Sequence, residues 1–364
     1  MPRKVGGRPV LPIGLSERDA DTVNCSSAGR IVKKFLNDRN AYVDEMLDGL
    51  CEAYADLYVR LGEDGRVIAR RACPIRDKVG IATGGGSGHL PVFLGYVGRG
   101  LLDACAIGNI FAGPRAADCI AAMHAANGGA GVLQLYGNYG GDRMNFEMAR
   151  ESAEAEGIEV STVRVCDDIA SSPRGSRGLR RGVGGMVYAF KVAGAKAEQR
   201  ASLADVTSIA ERVAASCRTI GVGLTPCIVP EVGKATFEIE DDEIEFGMGI
   251  HGEPGIWRGH LKTADEIVTE MLDRLFADLD PMRGDRLSVL VNSLGATPLE
   301  ELYIIYRKVA HVLREKGITA VMPLIGRFAT SMEMAGASIT ILPLDSELEA
   351  LLRAPSFTPF WSIQ

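Results

Sequence analysis

The chain has 364 residues, 46% of them hydrophobic, enough apolar material for two domains at about 100–200 residues each. Its 40 basic and 47 acidic residues leave a net charge of −7, without the basic excess of a nucleic-acid binder or any polybasic membrane anchor. Glycine is the outlier, with 43 residues, about 12% against a usual ~7%. The glycines cluster at turn-like positions, a pattern that excludes collagen, coiled coil and disorder.

No run of about eighteen apolar residues would span a bilayer, and residues 1–30 lack the apolar core of a secretory signal. The eight cysteines form no Cys-x-x-Cys pair, so neither a zinc site nor a disulfide framework is expected. A cytoplasmic protein with reduced thiols, no resident metal and no membrane or nucleic-acid partner is the expectation.

Residues 1–32 carry no sustained period and read as an N-terminal extension. Tyr42 to Leu61 shows helical spacing, closed by a turn at Gly62 to Gly65. Short strands then alternate with helices: KVGIAT (78–83) and GVLQLY (131–136), a helix over Arg143 to Glu156 stopped by Gly157, and IEVSTVRV (158–165). The span 186–217 reads as a helix-rich connector. A second set follows, with strands at 220–224, 243–250, 287–292, 318–325 and 337–342, and helices near 263–277 and 298–316. The fold class is therefore α/β: two domains, each a largely parallel or mixed sheet flanked by helices. The boundary falls near 216, giving a first domain over 33–216 and a second over 217–364, with the last 15 or so residues packing back on the first.

Three strand ends carry candidate chemistry. Gly84-Gly85-Gly86-Ser87-Gly88-His89 follows a strand, where α/β sheets bind ligands, but matches neither G-x-x-x-x-G-K-[ST] nor G-x-G-x-x-G. It reads as a turn cradling a small polar ligand with His89 pointing in, or as a turn alone. Gly137-Asn138-Tyr139-Gly140-Gly141-Asp142 opens a helix, so Asp142 is either a helix cap or a general base facing the same crevice. In Glu245 to Gly255, glycines flank His251 and clear space for a nucleophile or base, or for a hydrogen-bonded loop histidine. Asp167 and Asp168 lack a third ligand for a metal and read as solvated or loop-capping. The basic run Ser176 to Gly182 reads as a solvated loop. His124, His260 and His311 read as surface or packing residues.

Eight segments occur in one order along the chain: TGGGSGH (83–89), GNIFAGP (108–114), NYGGDRMNF (138–146), CDDIA (166–170), RRGVGG (180–185), FGMGIHGEPGI (246–256), NSLGATPLEELY (292–303) and TSMEMAGASITIL (330–342). Together they resemble the ketose-binding subunit, or first domain, of the dihydroxyacetone kinase family, over roughly residue 33 to the C-terminus. The resemblance implies a two-domain α/β subunit that forms a homodimer. It implies that His251 adds to a ketone carbonyl as a covalent hemiaminal, a step open to ketoses and closed to polyols such as glycerol; neutral histidine is a credible nucleophile. His89 would polarise or protonate the carbonyl oxygen, with Gly86, Ser87 and Gly88 offering contacts to the substrate. Asp142 would accept the proton of the hydroxyl that attacks phosphorus. The nucleotide, ATP or ADP with Mg, is expected on a separate helical kinase subunit, with no cofactor on this chain.

Three positions depart from the family. Leu90 and Phe93 stand where Glu and His are common, and Gly137 stands where a lysine helps hold dihydroxyacetone. Loss of that lysine removes a charge and is expected to open space for a larger ketose such as erythrulose. The alternative to a kinase subunit is a ketose-sensing co-activator. An isomerase using the same histidine has weaker support.

Overall fold

The computed structural model describes residues 33–364; the extension read over 1–32 lies outside the described residues. The first half comprises α1 (Tyr42–Ala53), β1 (Tyr58–Leu61), β2 (Val67–Arg70), β3 (Gly80–Ser87), β4 (Ala104–Ile110), α2 (Ala116–Ala126), β5 (Val132–Gly137), α3 (Gly140–Ala155), β6 (Val160–Val165), α4 (Gly185–Glu198) and α5 (Leu203–Ser216). Its six strands are ordered β1-β2-β4-β3-β5-β6. The four on the β4 side run parallel, and the β1–β2 hairpin joins them antiparallel.

The chain enters the second sheet at β7 (Arg218–Thr225). The small hairpin β8 (Ile228–Val229) and β9 (Lys234–Ala235) follows, then β10 (Glu243–Phe246), β11 (Trp257–His260), α6 (Ala264–Leu279), β12 (Arg286–Ser293), α7 (Leu299–Lys316), β13 (Thr319–Ala320), β14 (Leu324–Gly326) and β15 (Ala335–Pro343). The order is β11-β10-β7-β15-β12-β13, with β14 also on β12. Only the β12 pairings to β13 and β14 are parallel. Both halves are thus mixed sheets with helices against them, an α/β architecture. The chain closes with α8 (Ser346–Arg353), β16 (Ser356–Thr358) and β17 (Trp361–Ile363). The last two strands return to the first half: Phe357 N–H donates to the Arg99 carbonyl at 2.9 Å, and the Trp361 ring lies 6.1 Å from Tyr96.

Several sequence expectations need correction. The helix read over Tyr42 to Leu61 stops at Ala53, and Tyr58–Leu61 is a strand because its residues pair with β2 across Gly62 and Gly65, both at positive φ. Strands β2, β4 and β11 fall outside the segments that the sequence pattern marks as strand. The run 318–325 is two short strands separated at Met322, whose φ is 48°. Only the first four residues of 243–250 are strand, since Gly247 turns the chain at φ 88°. The supposed connector holds α4, whose residues Met186 to Ala195 are buried. They pack in the same core as β5, β6 and α8, and Lys191 donates to the Leu351 carbonyl at 2.7 Å. Local signals do perform elsewhere: Thr263 and Glu266 form a capping box at the start of α6, and α7 ends on Gly317 at φ 68°.

The basic run is not solvated. Arg180 is 1% exposed and forks onto Asp278, through Nη1 at 3.0 Å and Nη2 at 2.6 Å, while Arg218 donates to the same carboxylate. This cluster ties the end of α6 to the loop before α4. Removing one member of a buried pair strands its partner, at about 3–5 kcal/mol. Asp278→Ala should therefore lower unfolding stability by about that much, read from urea denaturation at neutral pH.

Candidate active site

The glycine run is strand rather than turn. Gly84 to Ser87 are the last residues of β3, and only Gly88, at φ 96°, turns the chain. Each glycine admits a neighbour: a Cβ on Gly85 would collide with the Phe93 ring, and one on Gly86 with the backbone of Phe111 and Ala112. The Ser87 hydroxyl is spent on the Gly108 carbonyl at 2.9 Å.

At the strand's end, a loop of the second half clamps residues 88–90. Met332 N–H donates to the Gly88 carbonyl at 2.7 Å, and the Thr330 hydroxyl donates to the Leu90 carbonyl at 3.1 Å. His89 is fully buried, and its Nδ1 lies 2.6 Å from the Thr330 carbonyl. A carbonyl only accepts, so Nδ1 carries the proton and Nε2 is bare. Nε2 is buried with no hydrogen-bond partner. Burial, and then the neighbouring His251, push the His89 pKa down to about 3. The ring is a hydrogen-bond acceptor, so the proton-donor role expected for it does not fit this tautomer.

His251 sits in the loop joining β10 and β11. Gly255 N–H donates to Glu245 Oε1 at 2.7 Å and Ile256 N–H to the Phe246 carbonyl at 2.7 Å, which close that loop. The imidazole is partly exposed. Its Nδ1 is 2.9 Å from Glu253 Oε1, and its backbone N–H donates to Glu253 Oε2 at 2.9 Å. Burial alone would raise the Glu253 pKa, but the hydrogen bond from His251 and the nearby Arg181 guanidinium hold it at about 2. Glu253 is therefore a carboxylate, and the His251 Nδ1 that faces it carries a proton. Three rings surround this imidazole edge to face: His89 at 4.7 Å, Tyr139 at 4.6 Å and Phe111 at 5.7 Å between centroids. Phe111 holds a positive φ of 56° to reach it.

Asp142 lies in the first turn of α3 but makes no capping bond. Its carboxylate is buried, its Oδ1 has no partner, and Gly113 leaves the room beside it. The cap reading is thereby overturned. Burial raises its pKa to about 7, only partly offset by His251. His89, Asp142 and His251 thus converge from β3, α3 and the β10–β11 loop.

Other expectations change. Asp167 is buried, not solvated; it accepts from Val183 N at 2.8 Å and Gly185 N at 2.7 Å, capping the entry to α4. Asp168 is buried against Arg181. No space opens at Gly137: a Cβ there would meet Met186 Sδ at 2.9 Å and the Tyr139 ring at 3.0 Å. Phe93 lies buried, edge-on to His89, and Leu90 is partly exposed. His124, His260 and His311 are surface residues paired with acidic neighbours. Among the described residues no three His, Cys, Asp or Glu side chains gather as a cation site, and no helix is long and apolar enough to cross a membrane. Glu253 was legible two residues beyond His251 in the same glycine-flanked motif, whereas the Thr330 carbonyl carries no sequence signal.

This two-sheet architecture with its paired histidines defines the class: residues 48–360 match the Dak1 domain, and the chain belongs to that family. It is 44% identical over 331 residues to the dihydroxyacetone-binding subunit DhaK of PTS-dependent dihydroxyacetone kinase 1 from Listeria innocua, covering 91% of this chain and all of that one. It is 39% identical to the D-erythrulose kinase of Mycolicibacterium smegmatis, over 90% of this chain and 56% of that protein. Among solved structures, the dihydroxyacetone kinase of C. freundii superposes with a TM-score of 0.82 at 33% identity, covering 92% of this chain and 61% of that one. The dihydroxyacetone kinase operon co-activator Dha-DhaQ matches with a TM-score of 0.82 at 30% identity, covering 88% and 98%.

A buried carboxyl raised from 3.8 to about 7 keeps a proton in the folded state that the unfolded chain has lost. Its effect on stability is nil below about pH 4 and grows more unfavourable as pH rises to about 7. Asp142→Asn should therefore stabilise the protein at pH 8, by about 4 kcal/mol, and leave it unchanged at pH 4. Thermal unfolding at the two pH values measures the difference.

Proposed function

We propose that this chain is the ketose-binding subunit of a dihydroxyacetone-type kinase, working with a separate helical subunit that carries ATP or ADP with Mg. The observation that carries the reading is the convergence of the His251 imidazole, held through Nδ1 by Glu253, with a buried, partnerless His89 Nε2 and a buried, partnerless Asp142 Oδ1. His251 Nε2 attacks the ketone carbon. A C–N bond forms, the carbonyl π pair moves to oxygen, and that oxygen takes a proton from solvent. The positive charge left on the imidazole is balanced by Glu253. His89 Nε2 accepts a hydrogen bond from a substrate hydroxyl, and the backbone of Gly86 to Gly88 shapes that end of the pocket. Asp142, poised near neutral pH, accepts the proton of the terminal hydroxyl as it attacks phosphorus.

The substrate is a short ketose, dihydroxyacetone or a tetrulose such as erythrulose. The longer ketose is supported by relatives at 38–40% identity that are named erythrulose kinases. Free cysteines among the described residues fit a reducing, cytoplasmic setting, and a homodimer belongs to the same reading. A ketose-sensing co-activator is the second reading, favoured by the fold match to Dha-DhaQ. Asp142 weighs against it, because binding alone needs no base.

Intact native mass spectrometry with dihydroxyacetone, D- and L-erythrulose and glycerol tests the covalent step. A ketose-sized increase is expected on the wild type, absent with glycerol and absent in His251→Ala; no increase with any ketose would sink the assignment. Much tighter binding of dihydroxyacetone than of erythrulose would remove the tetrulose reading. With a reconstituted helical partner and ATP, Asp142→Asn should retain the adduct and lose about 100-fold or more in phosphoryl transfer. Effector-dependent binding to a regulator, with no transfer by any partner, would favour the co-activator.

A further inference from the structure

Two motifs of the first half, Asp167-Asp168 and the basic run before α4, meet the His251 loop of the second. Arg181 reaches Asp168 Oδ2 through Nε at 2.9 Å and Nη2 at 2.8 Å. The two segments are also joined through the backbone, Asp168 N–H donating to the Arg181 carbonyl at 3.1 Å. Asp168 is itself held, accepting from Ala170 N at 3.0 Å. The other arm of the guanidinium, Nη1, stands 3.6 Å from Glu253 Oε2. The loop is built to admit this meeting, since a Cβ on Gly249 would strike the Glu253 carboxylate and lie 2.6 Å from Arg181 Nη1. Asp168, Arg181, Glu253 and His251 therefore form one chain of contacts from the wall of the first half to the imidazole.

We propose that Arg181, anchored on Asp168, is a positioning residue that acts through Glu253 to keep the His251 ring neutral, with its proton on Nδ1 and Nε2 bare; this rests on reading His251 as the nucleophile. A carboxylate beside an imidazole does two things. It orients the ring by accepting the Nδ1 proton, and it stabilises the imidazolium, which has no lone pair at Nε2 and cannot add to a carbonyl. The orientation helps the chemistry and the second effect opposes it. A guanidinium on the far side of the carboxylate keeps the orientation and offsets much of its field. The other titratable groups facing His251 are His89 at the end of β3, which is neutral, Asp142 on α3, and the un-ionised Tyr139. None of them supplies a fixed positive charge, so Arg181 is the cation next in line.

Histidine-selective NMR tests this without ligand, on the full chain with 15N-labelled imidazoles. The chain has five histidines, and His251→Gln assigns the signal. Arg181→Met should move the His251 titration midpoint up by about one pH unit, the size of one charge removed beyond a neighbour. Arg181→Lys should bring it back to within about 0.3 unit of the wild type. Glu253→Gln should move it down and loosen the tautomer. If Arg181→Met fails to fold because Asp168 is left unpaired, Asp168→Asn/Arg181→Met removes both charges and should still shift the midpoint up, by less than Arg181→Met alone, because the lost carboxylate acts the other way from farther off. A purely structural Arg181 would lower the melting temperature and leave the midpoint in place, and an unchanged midpoint in Arg181→Met, in Asp168→Asn/Arg181→Met or in Glu253→Gln would overturn the proposal. The same samples, given dihydroxyacetone, separate the two questions. A shifted midpoint with no adduct on the wild type keeps the positioning role and discards the ketose reading, whereas an adduct with an unmoved midpoint does the reverse.

Discussion

The hydrogen bond from His89 Nδ1 to the Thr330 carbonyl is the joint on which the site depends. His89 belongs to the strand end of one sheet, and Thr330 to a loop that precedes β15 of the other. This bond fixes the tautomer of the buried imidazole and, with the Gly88–Met332 and Leu90–Thr330 contacts, fixes the distance between the halves. A main-chain acceptor cannot titrate, so the arrangement is insensitive to pH around it. Everything that follows, the partnerless Nε2 of His89, the edge-to-face approach of His251 and the burial of Asp142, needs the halves at this separation.

Around that joint the protein assigns different protonation states by different means. His89 is neutral because it is buried, Glu253 is ionised because it is hydrogen-bonded and flanked by charge, and Asp142 hovers near neutrality because it is buried and left without a partner. Environments that push such groups apart are how one pocket comes to hold titratable groups in different protonation states at once. The unsatisfied carboxylate is a cost to stability borne at the site, as is common where function requires it.

Much of this was legible in the residues. Strand–helix alternation identifies the α/β class, and the three strand-end motifs offer His89, Asp142 and His251 as candidates beside ordinary turn, cap and loop readings. What remained hidden was tertiary. The glycines at 84–86 look like a turn because local preference favours one, yet neighbours packed into their missing side chains hold them extended. Arg180 and Asp168 look like surface residues because charge is usually solvated; their partners lie 98 and 13 residues away. The room expected at Gly137 is taken by Met186 and Tyr139, which no local pattern could show. Thr330 contributes through its carbonyl, a group every residue carries.

The return of β16 and β17 to the first half has a consequence for synthesis. Gly98 and Gly100 lie against Phe357 and Ser356, and Trp361 shares a core with Tyr96 and Phe190. Chains emerge from the ribosome N-terminus first, and domains tend to fold as they appear. Here the first half cannot seal its core until residues 356–363 have been made, so its apolar floor stays uncovered throughout translation of the second. The molecule should mature in a single late event, with His251 and His89 brought into register at the same moment that its oldest surface is finally closed.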